Sequence, residues 1–175
     1  MVNYRRVYIE GGTYFFTVTL KNRQLNYLTD YIDLLRDSFA YVKNQHPFEI
    51  IAIVVLPEHL HCLWQLPDGD DNYAGRWRAI KSRFTRLLIK SGVTLYKNDR
   101  GEYDLWQHRY WEHTIGNESD LLHHINYIHY NPVKHGYVLS VKDWPFSSFH
   151  QFVEKGDLEQ DWGLNINDTQ NQYGE

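Results

Sequence analysis

The chain has 175 residues, 42% of them apolar and one of them a cysteine, which is enough for one buried core and short for two. Cys62 alone excludes an internal disulfide and a multi-thiolate zinc site. The longest apolar run, Ile50 to Leu56, falls well short of the roughly 20 residues of a membrane-spanning helix, so a cytoplasmic protein without a membrane partner is expected.

The net charge of −4 argues against a polyanionic partner only as an average. From Glu154 onward the chain carries a net −5, which leaves the preceding 153 residues at +1. Residues 1–153 therefore read as one domain and 154–175 as an acidic, flexible tail, free in solution or folded back onto a basic surface.

In chain order, Tyr14 to Leu20 is aromatic and β-branched and follows Gly11-Gly12, which predicts a strand. Ile32, Leu35, Phe39 and Val42 have helical spacing within Asp30 to Asn44. Phe48 to Leu56 and His59 to Leu66 read as two neighbouring strands. Gly69 to Asn72 has turn and cap chemistry, and a helix is predicted from there to Ser91, with Gly92 ending it. Asn98 to Gly101 reads as a turn. Trp106 to Ile115 contains a further strand, and Asn117 to Asp120 suits the start of a helix running towards Asn131 and Pro132. The order β-α-β-β-α-β-α predicts an α+β fold: a ferredoxin-like, RRM-like antiparallel sheet with helices mainly on one face and part of the other face available. An open sheet face of this kind can host nucleic acid.

Three clusters carry chemistry. His59 and His61 are two apart on a strand, so they leave the same face while Leu60, Cys62 and Trp64 leave the other. That spacing fits a pair of metal ligands, although taken alone it fits a pair of half-exposed strand histidines better. In the last predicted helix, Leu121, Leu122, Ile125 and Ile128 form one stripe, and His124, Tyr127 and Asn131 lie opposite. A tyrosine beside a metal-bound phosphate can act as a nucleophile, and Asn131, one turn on, can offer an amide oxygen; with 14 tyrosines in the chain, a packing role fits Tyr127 too. Arg76, Arg78, Lys81, Arg83, Arg86 and Lys90 are six bases in fifteen residues without an acid, the local footprint of a nucleic-acid binder. Arg5, Arg6 and Lys134 are further candidate DNA contacts, and Trp106, Tyr110 and Trp111 are candidates for stacking on unpaired bases.

Taken together, the segments "YRRVYIEGGTYFFTVTL", "VVLPEHLHCLWQLP", "RYWEHTI", "YIHYNPVKHGYV" and "DWPFSSFH" resemble, in order and spacing, the HUH transposases with one catalytic tyrosine, and within them the REP-associated branch of bacteria. The resemblance runs from about Tyr4 to His150. It implies the HUH endonuclease fold, with His59 and His61 as metal ligands and Tyr127 as nucleophile; Tyr130 is the rival by proximity. Asn131 stands where many relatives place glutamine as third ligand. It further implies Mg2+ or Mn2+ as cofactor and single-stranded DNA with REP hairpins as substrate, in a monomer or homodimer associated with the nucleoid when bound. His124 is a candidate proton acceptor. The alternatives are a non-catalytic, repressor-like hairpin binder and a phosphoesterase that uses water.

Overall fold

The computed structural model describes residues 6–164; Arg5 lies outside them. Four antiparallel strands form one sheet in the order β2-β3-β1-β4: β1 is Thr13–Thr19, β2 Glu49–Val55, β3 His59–Gln65 and β4 Trp111–Thr114. Of the predicted segment 106–115, only the last part is strand; Trp106 makes a single bridge to Leu20. The helices are α1 (Tyr27–Asp30), α2 (Ile32–Gln45), α3 (Tyr73–Lys90), α4 (Glu118–Lys134) and α5 (Phe149–Lys155). The cap chemistry is realised at both long helices. Asn72 accepts from Gly75 N and Asn117 accepts from Asp120 N, each at 2.9 Å, an arrangement worth about 1 kcal/mol per helix. Gly92 takes a left-handed φ of +100° just after α3.

Alternation along the strands sorts the molecule into two halves. Tyr14, Phe16 and Val18 of β1, with Leu60, Cys62 and Trp64 of β3, join Leu35, Phe39 and Val42 of α2 and Trp77, Ile80, Phe84 and Leu88 of α3 in the main core. On the opposite face Phe15, Ala52, Val54 and Leu63 pack with Ile128 of α4, flanked by Leu121, Ile125 and Tyr127. That face is thus partly covered: α4 lies against β2 and β3, and the half-exposed His113 of β4 meets its first turns.

Two boundaries differ from expectation. Helix α4 passes through Pro132 to Lys134, and the turn beyond it is closed by His135 N to Asn131 O at 3.0 Å and Tyr137 N to Pro132 O at 2.9 Å. The predicted tail does not begin at Glu154, because α5 continues to Lys155 and the chain then returns to the body. Asp161 pairs with Lys142 at 2.7 Å, and the Trp162 ring lies 6.1 Å from that of Phe149. The rest of the tail, 165–175, lies outside the described residues. Among the described residues no helix is long and apolar enough to cross a membrane.

Candidate active site

Strand register builds the site. Thr17 stands opposite His61 and Thr19 opposite His59, while Val54 flanks His61 from β2. Both histidines are fully buried, and their rings lie 4.9 Å apart at 83°. The Nδ1 atom of each is engaged: His59 Nδ1–H donates to Glu58 Oε1 at 2.9 Å, and Thr17 Oγ1 lies 2.8 Å from His61 Nδ1. The Glu58 carboxylate fixes the tautomer of His59, and both contacts hold the ring orientation and turn the other nitrogen towards a ligand. His59 Nε2 is buried without a hydrogen bond among the described residues, which fits a nitrogen meant for a metal, since an imidazole nitrogen buried with no partner is otherwise costly.

Glu58 anchors this cluster. It also accepts from Arg23 Nη2 at 3.3 Å and from the Tyr137 hydroxyl at 3.2 Å. Burial pushes its carboxyl up, but His59, its own backbone N–H and Arg23 outweigh that and bring it down to about 2. The Tyr137 phenol is raised by burial and by the Glu58 charge. Glu58, Thr17, Arg23 and Tyr137 escaped the sequence reading. For Glu58 there was a signal, an acid directly before His-x-His; Thr17 is placed only by strand pairing.

Helix α4 presents the tyrosine. Its buried side includes His124, Ile128, His129, Asn131 and Pro132, whereas Leu122, expected on the apolar stripe, is 57% exposed. The sheet face beneath carries histidines, so the helix buries polar side chains against it. The Tyr127 ring meets that of His61 at 5.3 Å and 71°. Lys134 donates from Nζ to the Tyr127 hydroxyl at 3.3 Å and sits 4.8 Å from its ring centroid; the expected DNA contact thus lies at the tyrosine. Asn131, fully buried, is one turn beyond Tyr127. His124 is buried and directs Nδ1 to Asp120, 2.8 Å from its carbonyl and 3.1 Å from its carboxylate. Burial lowers its pKa against the Asp120 charge, which keeps the ring neutral.

Helix α3 packs on the face opposite His59 and His61, and among its bases Arg76 is a correction. Arg76 is 3% exposed, because its guanidinium is consumed by Asp70 at 2.7 and 2.9 Å and by the carbonyls of His46, Pro47 and Asn72. Arg83 pairs with Asp37 at 2.7 Å over the Tyr41 ring, and Lys81 donates to Gln107 O at 3.0 Å, with burial and then Arg6 lowering it to about 8. Arg6 stacks on Tyr110 and reaches Glu112. Arg78, Arg86 and Lys90 remain exposed. Trp106 and Tyr110 pack against the main core, so of the three stacking candidates Trp111 alone lies on the histidine face.

Residues 9–131 match the family model described as "Transposase IS200 like". A REP-associated tyrosine transposase of Escherichia coli (strain K12) is 49% identical over 168 residues, 96% of this chain and 94% of its own. A Haemophilus influenzae relative is 50% identical over 167 residues, 94% of this chain and 95% of its own. The fold superposes on a solved REP-associated tyrosine transposase bound to a REP hairpin, with a TM-score of 0.86 and 47% identity over 100% of this chain and 98% of that one. With the HUH pair, the tyrosine helix and the antiparallel sheet in place, this chain belongs to the IS200-like transposases and, among them, to the REP-associated tyrosine transposases, enzymes of the HUH single-stranded DNA nuclease class.

Proposed function

We propose that this transposase cuts single-stranded DNA beside REP hairpins by joining Tyr127 to the strand as a 5′-phosphotyrosine, with Mg2+ or Mn2+ held by His59, His61 and Asn131. The observation that carries this reading is the contact between the Tyr127 and His61 rings, 5.3 Å between centroids. The hairpin part of the proposal rests on the solved relative, which is bound to one.

A bound divalent ion supplies Lewis-acid polarisation of a non-bridging phosphate oxygen. The chain's own residues do the rest. Glu58 and Thr17 hold the two imidazoles by Nδ1. The Tyr127 oxygen attacks phosphorus, so that its O–P bond forms as the bond to the 3′-oxygen breaks; the phenolic proton leaves to an acceptor and the departing 3′-oxygen takes one up. A free phenol ionises only near pH 10. The Lys134 ammonium, 3.3 Å from the hydroxyl, stabilises negative charge on that oxygen. His124, with Nδ1 turned to Asp120, is the candidate acceptor through Nε2. The phosphotyrosine retains the energy of the broken bond, which permits rejoining.

The test incubates the purified protein with Mg2+ and 3′-end-labelled single-stranded REP hairpin DNA and resolves the products on a denaturing protein gel. A labelled adduct in the wild type that is absent in Tyr127→Phe is the expected result. Binding without adduct or cleavage in the wild type identifies a hairpin binder instead, and cleavage that persists in Tyr127→Phe identifies a nuclease that uses water.

A further inference from the structure

We infer that His113, Asp120 and His124 form a second metal site, separate from the HUH pair and suited to a transition dication such as Zn2+. One nitrogen from each histidine and a carboxylate oxygen lie within 4.8 Å of one another. His113 Nε2 is 2.9 Å from Asp120 Oδ2, and His124 Nδ1 is 3.1 Å from Oδ1. Ligands of a tetrahedral zinc, at about 2.0–2.2 Å from the ion, stand roughly 3.3–3.5 Å apart. The two histidine–carboxylate contacts, each to a different Asp120 oxygen, need to lengthen by only a few tenths of an ångström to meet that spacing.

The backbone builds this arrangement from two elements. His113 comes from β4, opposite Phe15 of β1. Asp120 and His124 are one turn apart in the first half of α4, and the Gly116 N–H holds Asp120 Oδ2 at 2.9 Å across the connection. The imidazoles stack at 4.8 Å and 16°, a geometry in which two cationic rings would repel each other. His124 is 1% exposed, and on binding its Nδ1 would exchange the 2.8 Å hydrogen bond to the Asp120 carbonyl for the ion. His113 is 39% exposed along its side chain, which gives an ion an entry path and leaves a coordination position for water. Two imidazoles and one carboxylate suit zinc and its neighbours. The cluster shares no residue with the HUH pair and adjoins it across one ring: His61 and His124 both lie against Phe15, with centroids 5.6 and 4.8 Å from it.

An ion held there would join the β4 edge to the first turns of the helix that carries Tyr127. Because coordination through His124 Nδ1 places the ring proton on Nε2, an occupied site would also remove His124 as a proton acceptor.

The test uses a His59→Ala, His61→Ala protein, which lacks the HUH pair, and titrates it with Zn2+ by calorimetry and by thermal melting. About one ion per chain should bind, raise Tm, and resist a large excess of Mg2+. Adding His113→Ala or Asp120→Asn should lower the affinity by more than tenfold and remove the Tm gain; His113 is half-exposed, so that variant stays informative if Asp120→Asn unfolds. No Zn2+ binding in the starting protein, binding unchanged by either added substitution, or ready displacement by Mg2+ would each overturn the assignment. Tyr127→Phe protein should bind Zn2+ at this site as the wild type does, so failure of the strand-transfer reading would leave this one intact.

Discussion

The two faces of the sheet are built on different principles. The face beneath α2 and α3 is filled with aromatic and aliphatic side chains, with Trp64 and Trp77 stacked at 4.4 Å, and the buried base at its rim, Arg76, is spent on internal hydrogen bonds. The face beneath α4 buries Thr17, His59, His61, His124, His129 and Asn131. Burying polar groups is unfavourable unless each is satisfied or reserved for a ligand, so the concentration of histidines on one side supports placing the proposed chemistry there. The number of bases in a sequence segment does not, because a base can be consumed by the fold.

This contrast can be challenged first at Arg76. If it is structural, Arg76→Ala should destabilise the protein by about 3 kcal/mol, as removal of one partner from a buried ion pair does, while the folded variant keeps its DNA affinity; chemical denaturation and a binding titration measure the two separately. Acid should then act on the histidine face. Burial lowers His129 to about 4, below its unfolded value of about 6.5. Between those pH values the unfolded state binds the extra proton, so stability is full above pH 6.5 and falls with decreasing pH by up to about 3 kcal/mol near pH 4. His129 meets Ser148 Oγ at 3.0 Å and the Phe152 ring at 4.7 Å, with the charge of His150 nearby. Denaturation curves of His129→Phe across this range should be flatter than the wild type's.

A smaller effect is expected at Glu58. Glu58→Gln should weaken metal-dependent cleavage by about 10- to 100-fold, as loss of a partner behind a ligating histidine does, and raising the Mg2+ concentration should restore part of it. Lys134→Met should slow cleavage least, by about tenfold near pH 7, with the deficit shrinking as pH rises towards the phenol's own ionisation. A deficit independent of pH would make Lys134 a packing residue.

Much of this fold was legible because apolar periodicity reports packing. The segments proposed for β1, β2, β3, α2 and α3 lie within a few residues of those observed, and the opposite facing of His59 and Leu60 follows from the twofold period of a strand. The misses share a cause: each depended on a partner distant in sequence. Arg76 is consumed by carbonyls of 46 and 47, brought to it by the turn after α2. The Thr17–His61 contact exists only once β1 and β3 pair in register. Leu122 looked apolar enough for the core, yet the face awaiting α4 was already lined with imidazoles. The boundary drawn at Val153 followed net charge, whereas Trp162 returns to pack beside His129 and Phe149; a single aromatic residue in an acidic segment outweighs the surrounding charge.

Strand β3 also limits how this sequence can change length. Leu60, Cys62 and Trp64 are held by the main core, and His59 and His61 occupy the intervening positions. An insertion or deletion of one residue within the strand would exchange the two sets, sending imidazoles into the aromatic interior and leucine towards the face that carries Tyr127. A change of two residues would preserve the alternation. In β2, by contrast, the register already shifts between Ile50 and Ala52, so a single extra residue there can be taken up as a bulge. Viable length variants of this sheet should therefore accumulate single-residue changes in β2 and paired ones in β3.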